Sequence, residues 1–333
     1  MGDPSIKDVA RASQASIGTV SNVLNHPERV AQATQDRVFE AIRTLGYVRN
    51  DVARQLRAGK STTLGLALPA TSNPFFAAVA HGAEEVAAER DLRVVLGSTG
   101  DTGGQESRYL DLFEQLRVRG VMLSPVSYEP SRLDGLRRRN IPVVLIDHVD
   151  PAMEFPAVTV DNRAGGYLAV NHLIERGARR IVFIGATGWT QQIVQRFAGA
   201  QEAAGHHPDV VLARIDLGEM TVSAGRALGH EMLANWETDS VDGIFAGNDL
   251  IALGILQAFV MSKTLRVPHD VRLVGFDDID FAQSAIVSLT SIRQPAEEIG
   301  RAAVATLLTK FEHPETPAKV VKFEPELIVR DSS

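Results

Sequence analysis

Past residue 60 the chain repeats one pattern, a short apolar run followed by a segment of helical periodicity. The runs "LGLALP", "RVVLGS", "GVMLSP" and "IPVVLID" alternate with helical segments near 75–90, 105–118 and 131–139, and "RIVFIG", "VVLARIDL", "DGIFAGND" and "VRLVGFDD" continue the series. Strands apolar on both faces, alternating with helices, require parallel sheets covered on both sides. The units are too many for one compact sheet, and "VTVDNRAGG" reads as the place where the chain leaves one sheet for another.

The first 60 residues have a different texture, with short helices joined by tight turns and no strand-like alternation. Ser5 is placed to cap a helix through "IKDVARAS", with Asp8 three positions on, and Ser16 to cap a second through "SIGTVSNVLN". A third runs from about Ala33 to Leu45 and stops at Gly46. The first two, separated by "QA", have the spacing of a helix-turn-helix, in which the second helix enters the major groove of DNA. Val20, Val23 and Leu24 then face inward, leaving Ile17, Gly18, Ser21 and Asn22 outward near the helix start. Periodicity alone equally suits a small helical cap on an enzyme.

Charge helps to choose. The net charge is -7, but residues 1–60 hold 9 Lys+Arg against 6 Asp+Glu, so a head of +3 sits on a body of -10. Any phosphate contact belongs to the head. With no cysteine there are no disulfides, thiolate metal sites or cysteine nucleophiles, which fits a reducing compartment. The first 30 residues lack the apolar core of a signal peptide, and "LIALGILQAFVM" is too short to span a bilayer. Cytoplasmic localisation without membrane contact is expected.

Together, "IKDVARAS", "TVSNVLN", "RVFEAIRTLGY" and "NDVARQLRAG" in the head, with "SNPFF", "GNDLIALGIL", "VGFDDI", "LTSIRQP" and "ELIVR" in the body, resemble the lactose-repressor/galactose-repressor (LacI/GalR) family of transcription regulators over nearly the whole chain. The resemblance implies an all-α helix-turn-helix DNA-binding head at 1–49, a hinge helix and linker at 50–60, and an α/β periplasmic-binding-protein-like body of two parallel-sheet lobes at 61–333. Crossovers are expected near 160–162, 290–293 and 323–325, giving one lobe of about 61–161 with 292–323 and another of about 162–291 with 324–333. The implied function is a homodimeric repressor that reads a palindromic double-stranded operator and answers to a small ligand, a sugar or sugar derivative, with no metal, cofactor or catalytic residue. No heptad tail follows "LIVRDSS", so a coiled-coil tetramer is not expected.

The same resemblance assigns DNA contact to Ser5, Ser16, Ile17, Gly18, Thr19, Ser21, Asn22 and Asn25 in the head, and to Asn50, Ala53, Arg54 and Leu56 in the hinge, where Leu56 would wedge into a central base step. Effector contact falls to Phe75, Phe76, Asp147, Trp189, Arg196, Met220, Asn248 and Asp277. There are departures from the family. Gln14 stands in the turn where glycine or asparagine is usual, Asn22 where arginine is frequent, Ala31 where serine caps the third helix, and Met220 where many relatives carry an aromatic.

Two other readings compete. "GATGWT" at 185–190 lies like a dinucleotide loop but lacks the third glycine, and "DDID" at 277–280 has no second acidic cluster to make a catalytic or metal site. A periplasmic solute-binding protein would share the body but needs an export signal and no helical head.

Overall fold

The computed structural model describes residues 4–47, 61–100, 103–186, 190–238 and 240–333. The chain divides into two compact units, Met1–Lys60 and Ser61–Ser333. The expected hinge residues Asn50, Ala53, Arg54 and Leu56 and the cavity candidate Trp189 lie outside the described residues.

In the head, α1 (Ile6–Ala12), α2 (Ile17–Asn25) and α3 (Gln32–Leu45) enclose a small core of Val9, Val20, Val23 and Val38, against which Leu24, Ile42 and Leu45 pack. The first two helices are capped as the sequence suggests. The Ser5 backbone N–H and hydroxyl both donate to Asp8 Oδ2, at 3.0 and 2.6 Å, and Ser16 Oγ accepts from the Thr19 N–H at 3.0 Å. Ala31 offers α3 no side-chain cap; instead Gln35 Nε2 donates to the Pro27 and Val30 carbonyls, tying the preceding turn to the helix. Gly46 closes α3 at φ 63°, the left-handed region where glycine meets no β-carbon penalty. Gln14 holds φ 54° between α1 and α2, a conformation that costs a β-carbon-bearing residue about 1 kcal/mol.

The body starts with β1 (Thr63–Leu68), β2 (Arg93–Ser98), β3 (Gly120–Leu123), β4 (Val143–Ile146) and β5 (Ala157–Val160). It continues with β6 (Arg180–Ala186), β7 (Val211–Leu217), β8 (Gly243–Ala246), β9 (Arg272–Asp277) and β10 (Thr290–Arg293), and finishes with β11 (Val320–Phe323) and β12 (Glu326–Ile328). They form two six-stranded sheets, ordered β11-β5-β4-β3-β1-β2 and β12-β10-β9-β8-β6-β7. All pairings are parallel except β10 with β12, an antiparallel edge on the second sheet. Parallel pairing follows from the crossover helices: each returns the chain to the same end, and the strands so covered are largely apolar, as the fully buried β3, β4, β5 and β8 illustrate.

The helices of the body are α4 (Pro74–Ala88), α5 (Gly103–Gln115), α6 (Asp134–Arg138), α7 (Asn162–Glu175), α8 (Gln191–Gly205), α9 (Val222–Ala234), α10 (Asp249–Ser262), α11 (Asp280–Ser284) and α12 (Ala296–Glu312). The chain passes between sheets three times, from β5 into α7, from β10 into α12 and from β11 into β12. The lobe segment expected from about 292 starts after Arg293, because Ile292 and Arg293 still pair with Phe276 and Asp277 of β9 in the second sheet.

Helices α7 and α8 meet at backbone contact. A β-carbon on Gly166 would overlap the Arg196 carbonyl, and one on Gly199 the Arg163 carbonyl. This close approach sets the spacing between the start of α7 and the side chains of α8, which the cavity depends on.

Candidate functional site

At the carboxyl ends of the strands the two lobes of the body enclose a cavity of about 210 Å³. Ligands of open parallel sheets bind in this position, because strand ends and helix starts converge there. Seven of the effector candidates line it: Phe75, Phe76, Asp147, Arg196, Met220, Asn248 and Asp277. Asp147 follows β4 and Asp277 ends β9, both at positive φ, 52° and 112°. Phe75 and Phe76 open α4 behind the Asn73 cap. Phe75 is buried in the first-lobe core, Phe76 only partly, and their rings meet edge-on at 5.1 Å.

Arg196, 4% exposed, is the centre of the polar wall. Its Nε donates to Asn162 Oδ1 at 2.9 Å and Nη1 to the Gly247 carbonyl at 2.6 Å, while Asp277 Oδ1 lies 3.9 Å from Nη1. Asp277 also accepts from Gln294 Nε2 at 2.8 Å and from Asn73 Nδ2 at 3.1 Å, so residues of both lobes and of the second crossover meet on one carboxylate. On the opposite lobe, Asp147 Oδ1 accepts from the Thr159 hydroxyl at 3.0 Å and from Asn162 Nδ2 at 2.8 Å. Behind the wall Asp249 is fully buried, accepting from the Ser291 hydroxyl at 2.6 Å and the Ile279 N–H at 2.9 Å.

Burial dominates the electrostatics. It pushes the Asp277 carboxyl up to about 6, against the opposing pull of Arg196 and the two amide donors. Burial, reinforced by nearby Asp277, holds the Asp249 carboxyl well above the usual carboxylate range. The guanidinium of Arg196 is drawn down by burial and held up by Asp277, Asp147 and Asp249.

Asn248 performs the capping role that its position suggested. Its Oδ1 accepts from the Ile251 N–H and its Nδ2 donates to the Met220 carbonyl, so both ends of the amide are occupied. Five residues of the site were not singled out from sequence: Asn73, Asn162, Gln192, Asp249 and Gln294. The first two and the last two lie inside the motifs "SNPFF", "VTVDNRAGG", "GNDLIALGIL" and "LTSIRQP", where a polar residue buried beside apolar strands was the available signal. Gln192 carried no such signal. It lines the cavity 9% exposed, and its carboxamide has no hydrogen-bond partner among the described residues.

"DDID" resolves into separate structural roles. Asp278 pairs with Arg293 at 2.8 Å and Arg330 at 2.6 Å, and Asp280 stands in the first turn of α11. Among the described residues, no group of three or more His, Asp or Glu side chains is placed to hold a metal ion.

On the head, Ser5, Ser16, Ile17, Gly18, Asn22 and Asn25 are exposed, and Thr19 and Ser21 half-buried. Several of these polar groups are tied internally. Ser16 and Thr19 share a 2.8 Å hydroxyl contact, and Asn25 Nδ2 donates to the Ser21 carbonyl at 2.8 Å. Ile17, 45% exposed, stays an apolar side chain in water at the start of α2.

Residues 5–50 match the family "Bacterial regulatory proteins, lacI family", and residues 170–333 match "Periplasmic binding protein-like domain". The HTH-type transcriptional repressor PurR of Aliivibrio fischeri (strain MJ11) is 30% identical over 98% of this chain and 97% of its own length. The ribose operon repressor of Halalkalibacterium halodurans is 31% identical over 98% and 96%. The chain belongs to the LacI family. It is a transcriptional repressor of that family with a ligand-binding body, and the relatives it matches are regulators rather than enzymes. Among solved structures, the complex of the transcriptional regulator CelR with cellobiose superposes with a TM-score of 0.72 at 30% identity, covering 99% of this chain and all of that one. Among the described residues no helix is long and apolar enough to cross a membrane.

Proposed function

We propose that this repressor acts in the cytoplasm as a homodimer, reads a palindromic operator with α2 of its two heads, and is controlled by an uncharged sugar or sugar derivative held in the body cavity. The observation that carries the ligand assignment is the cavity wall. Asp147, Asp277, Arg196 and the amide of Gln192, which has no hydrogen-bond partner among the described residues, supply polar atoms to the lining, and Phe75, Phe76, Ile193 and Leu250 supply apolar surface. A sugar has that division, with hydroxyls that donate to carboxylates and C–H faces that pack on aromatic rings. Among the described residues, lining carboxylates outnumber the one guanidinium, whose Nε and Nη1 already serve Asn162 and Gly247, which favours hydroxyl donors over anions. Relatives named for ribose and cellobiose support the class.

Asn22, Ile17 and Gly18 are the base-reading side chains in this account, with Asn22 suited to adenine and Ile17 to a thymine methyl. A palindrome needs two heads, and the exposed apolar side chains Leu96, Leu112 and Leu116 of the body are candidates for burial by a second copy.

The deciding experiment is selection of the full-length protein on a random duplex library at one stated salt concentration, followed by a sugar screen read as a change in affinity for the recovered duplex. A recovered palindrome and a responding sugar support the proposal, and the sign of the response separates inducer from corepressor. A protein that selects no palindrome with or without sugars overturns it.

A further inference from the structure

Asn162 is the first residue of α7, set where the chain has just crossed from the first lobe to the second, and it is 1% exposed. Its two amide atoms face opposite partners. Nδ2 donates at 2.8 Å to the carboxylate of Asp147, which follows the first-lobe strand β4, and Oδ1 accepts at 2.9 Å from Nε of Arg196 on the second-lobe helix α8. From Arg196 the link continues to the Gly247 carbonyl beyond β8, and Asp277, 3.9 Å from the guanidinium, accepts from Asn73 of the first lobe.

An asparagine amide suits this position closely. The atom facing Asp147 must donate and the atom facing Arg196 must accept, so the partners fix which end of the amide points where. A hydrocarbon would leave both charged groups short of a partner in a buried setting, and a carboxylate would oppose Asp147 directly. Gly166 and Gly199 hold α7 and α8 at backbone contact, which brings Arg196 within reach of so short a side chain.

We propose that Asn162 is the positioning residue that couples the two lobes, holding Asp147 and Arg196 in register at the first crossover so that a ligand gripping either group is felt where the lobes join. The inference rests on the ligand reading above, but its test uses no ligand, so the two can fail separately. The charged groups packed around the link are Asp147 from β4, Arg196 from α8, Asp277 from β9, Asp249 from α10, and Asp161, which is paired with Lys322 of β11.

The chain has no cysteine, so Glu89→Cys with Glu237→Cys places one spin label on each lobe of the full-length protein. Labelled chain diluted with unlabelled chain then reports the interlobe distance distribution by pulsed electron resonance. Asn162→Leu is expected to broaden that distribution at every pH. Compared with the parent at each pH, Asn162→Asp is expected to broaden it at about pH 7.5 and to recover as pH falls, because burial beside Asp147 raises the introduced carboxyl above the ordinary value of about 3.9 and its protonated form can donate to Asp147 and accept from Arg196 as the amide does. The near-isosteric Asn162→Asp keeps the test open if the leucine variant unfolds. An unchanged distribution in both variants, or an Asn162→Asp variant that stays broad at acid pH, overturns the inference.

Discussion

The guanidinium carbon of Arg196 lies 3.5 Å from the ring centroid of Phe276, so the cation that faces the cavity is stacked on the core of its own lobe. Planarity, stacking and the Nε donor to Asn162 are properties that lysine lacks.

Arg196→Met removes the cation and leaves the buried Asp277 with its two amide donors alone. A loss of about 3–5 kcal/mol is expected at neutral pH, together with loss of the ligand response. Urea unfolding of the variant beside the unsubstituted protein measures it. Unchanged stability would mean that Asp277 is compensated elsewhere.

Asp277 makes stability depend on pH. Its carboxyl is raised from 3.8 to about 6, chiefly by burial, so the folded chain holds this proton more tightly than the unfolded one. Its contribution is therefore most favourable below the unfolded value, declines as pH rises through the window, and reaches a cost of about 3 kcal/mol above it. Asp277→Asn should flatten the slope between about pH 4 and pH 6 in denaturant titrations. The same slope in variant and parent would assign it to other groups.

The head offers a paired test of capping. Ser16→Ala removes the acceptor for the Thr19 N–H and should cost about 1 kcal/mol, whereas Ala31→Ser supplies α3 with the cap it lacks and should gain about as much. Hydrogen exchange of α2 and α3 amides in the intact chain reads both. Opposite signs are expected.

Gly199→Ala forces α8 away from α7, because the added carbon overlaps the Arg163 carbonyl. A loss of about 1–3 kcal/mol is expected. The ligand response should weaken as well, since α8 carries Arg196. A variant that loses stability but responds normally would show that the site tolerates the displacement.

Eight strands, β1 to β4 and β6 to β9, were legible from sequence because each lies in an apolar-rich run bounded by turn residues. β5, β10, β11 and β12 were not read as strands. They lie at the crossovers, and the partly exposed β11 and β12 lack a continuous apolar signature. The cavity candidates converged because strand-end positions share one edge of each sheet. Asn162 and Gln192 escaped notice for a physical reason. Their importance lies in partners 15 and 34 positions away for the former, and in the lack of a partner among the described residues for the latter, neither of which a local pattern encodes.

The strand orders place β11 and β5 at one edge of the first sheet and β12 and β10 at one edge of the second, so all three crossovers tie the lobes along a single border, leaving the β2 and β7 borders without a covalent tie. Such an arrangement works as a lever. The chain enters the body at Ser61, just ahead of β1, four strand spacings from the tied border, or roughly 19 Å at about 4.8 Å each. A rotation of about 10° around that border would carry the entry point roughly 3 Å, whereas backbone beside the crossovers would hardly move. An adjustment around Asp147 and Arg196 that turned one lobe on the other would thus be larger at the point where the body takes up the rest of the chain.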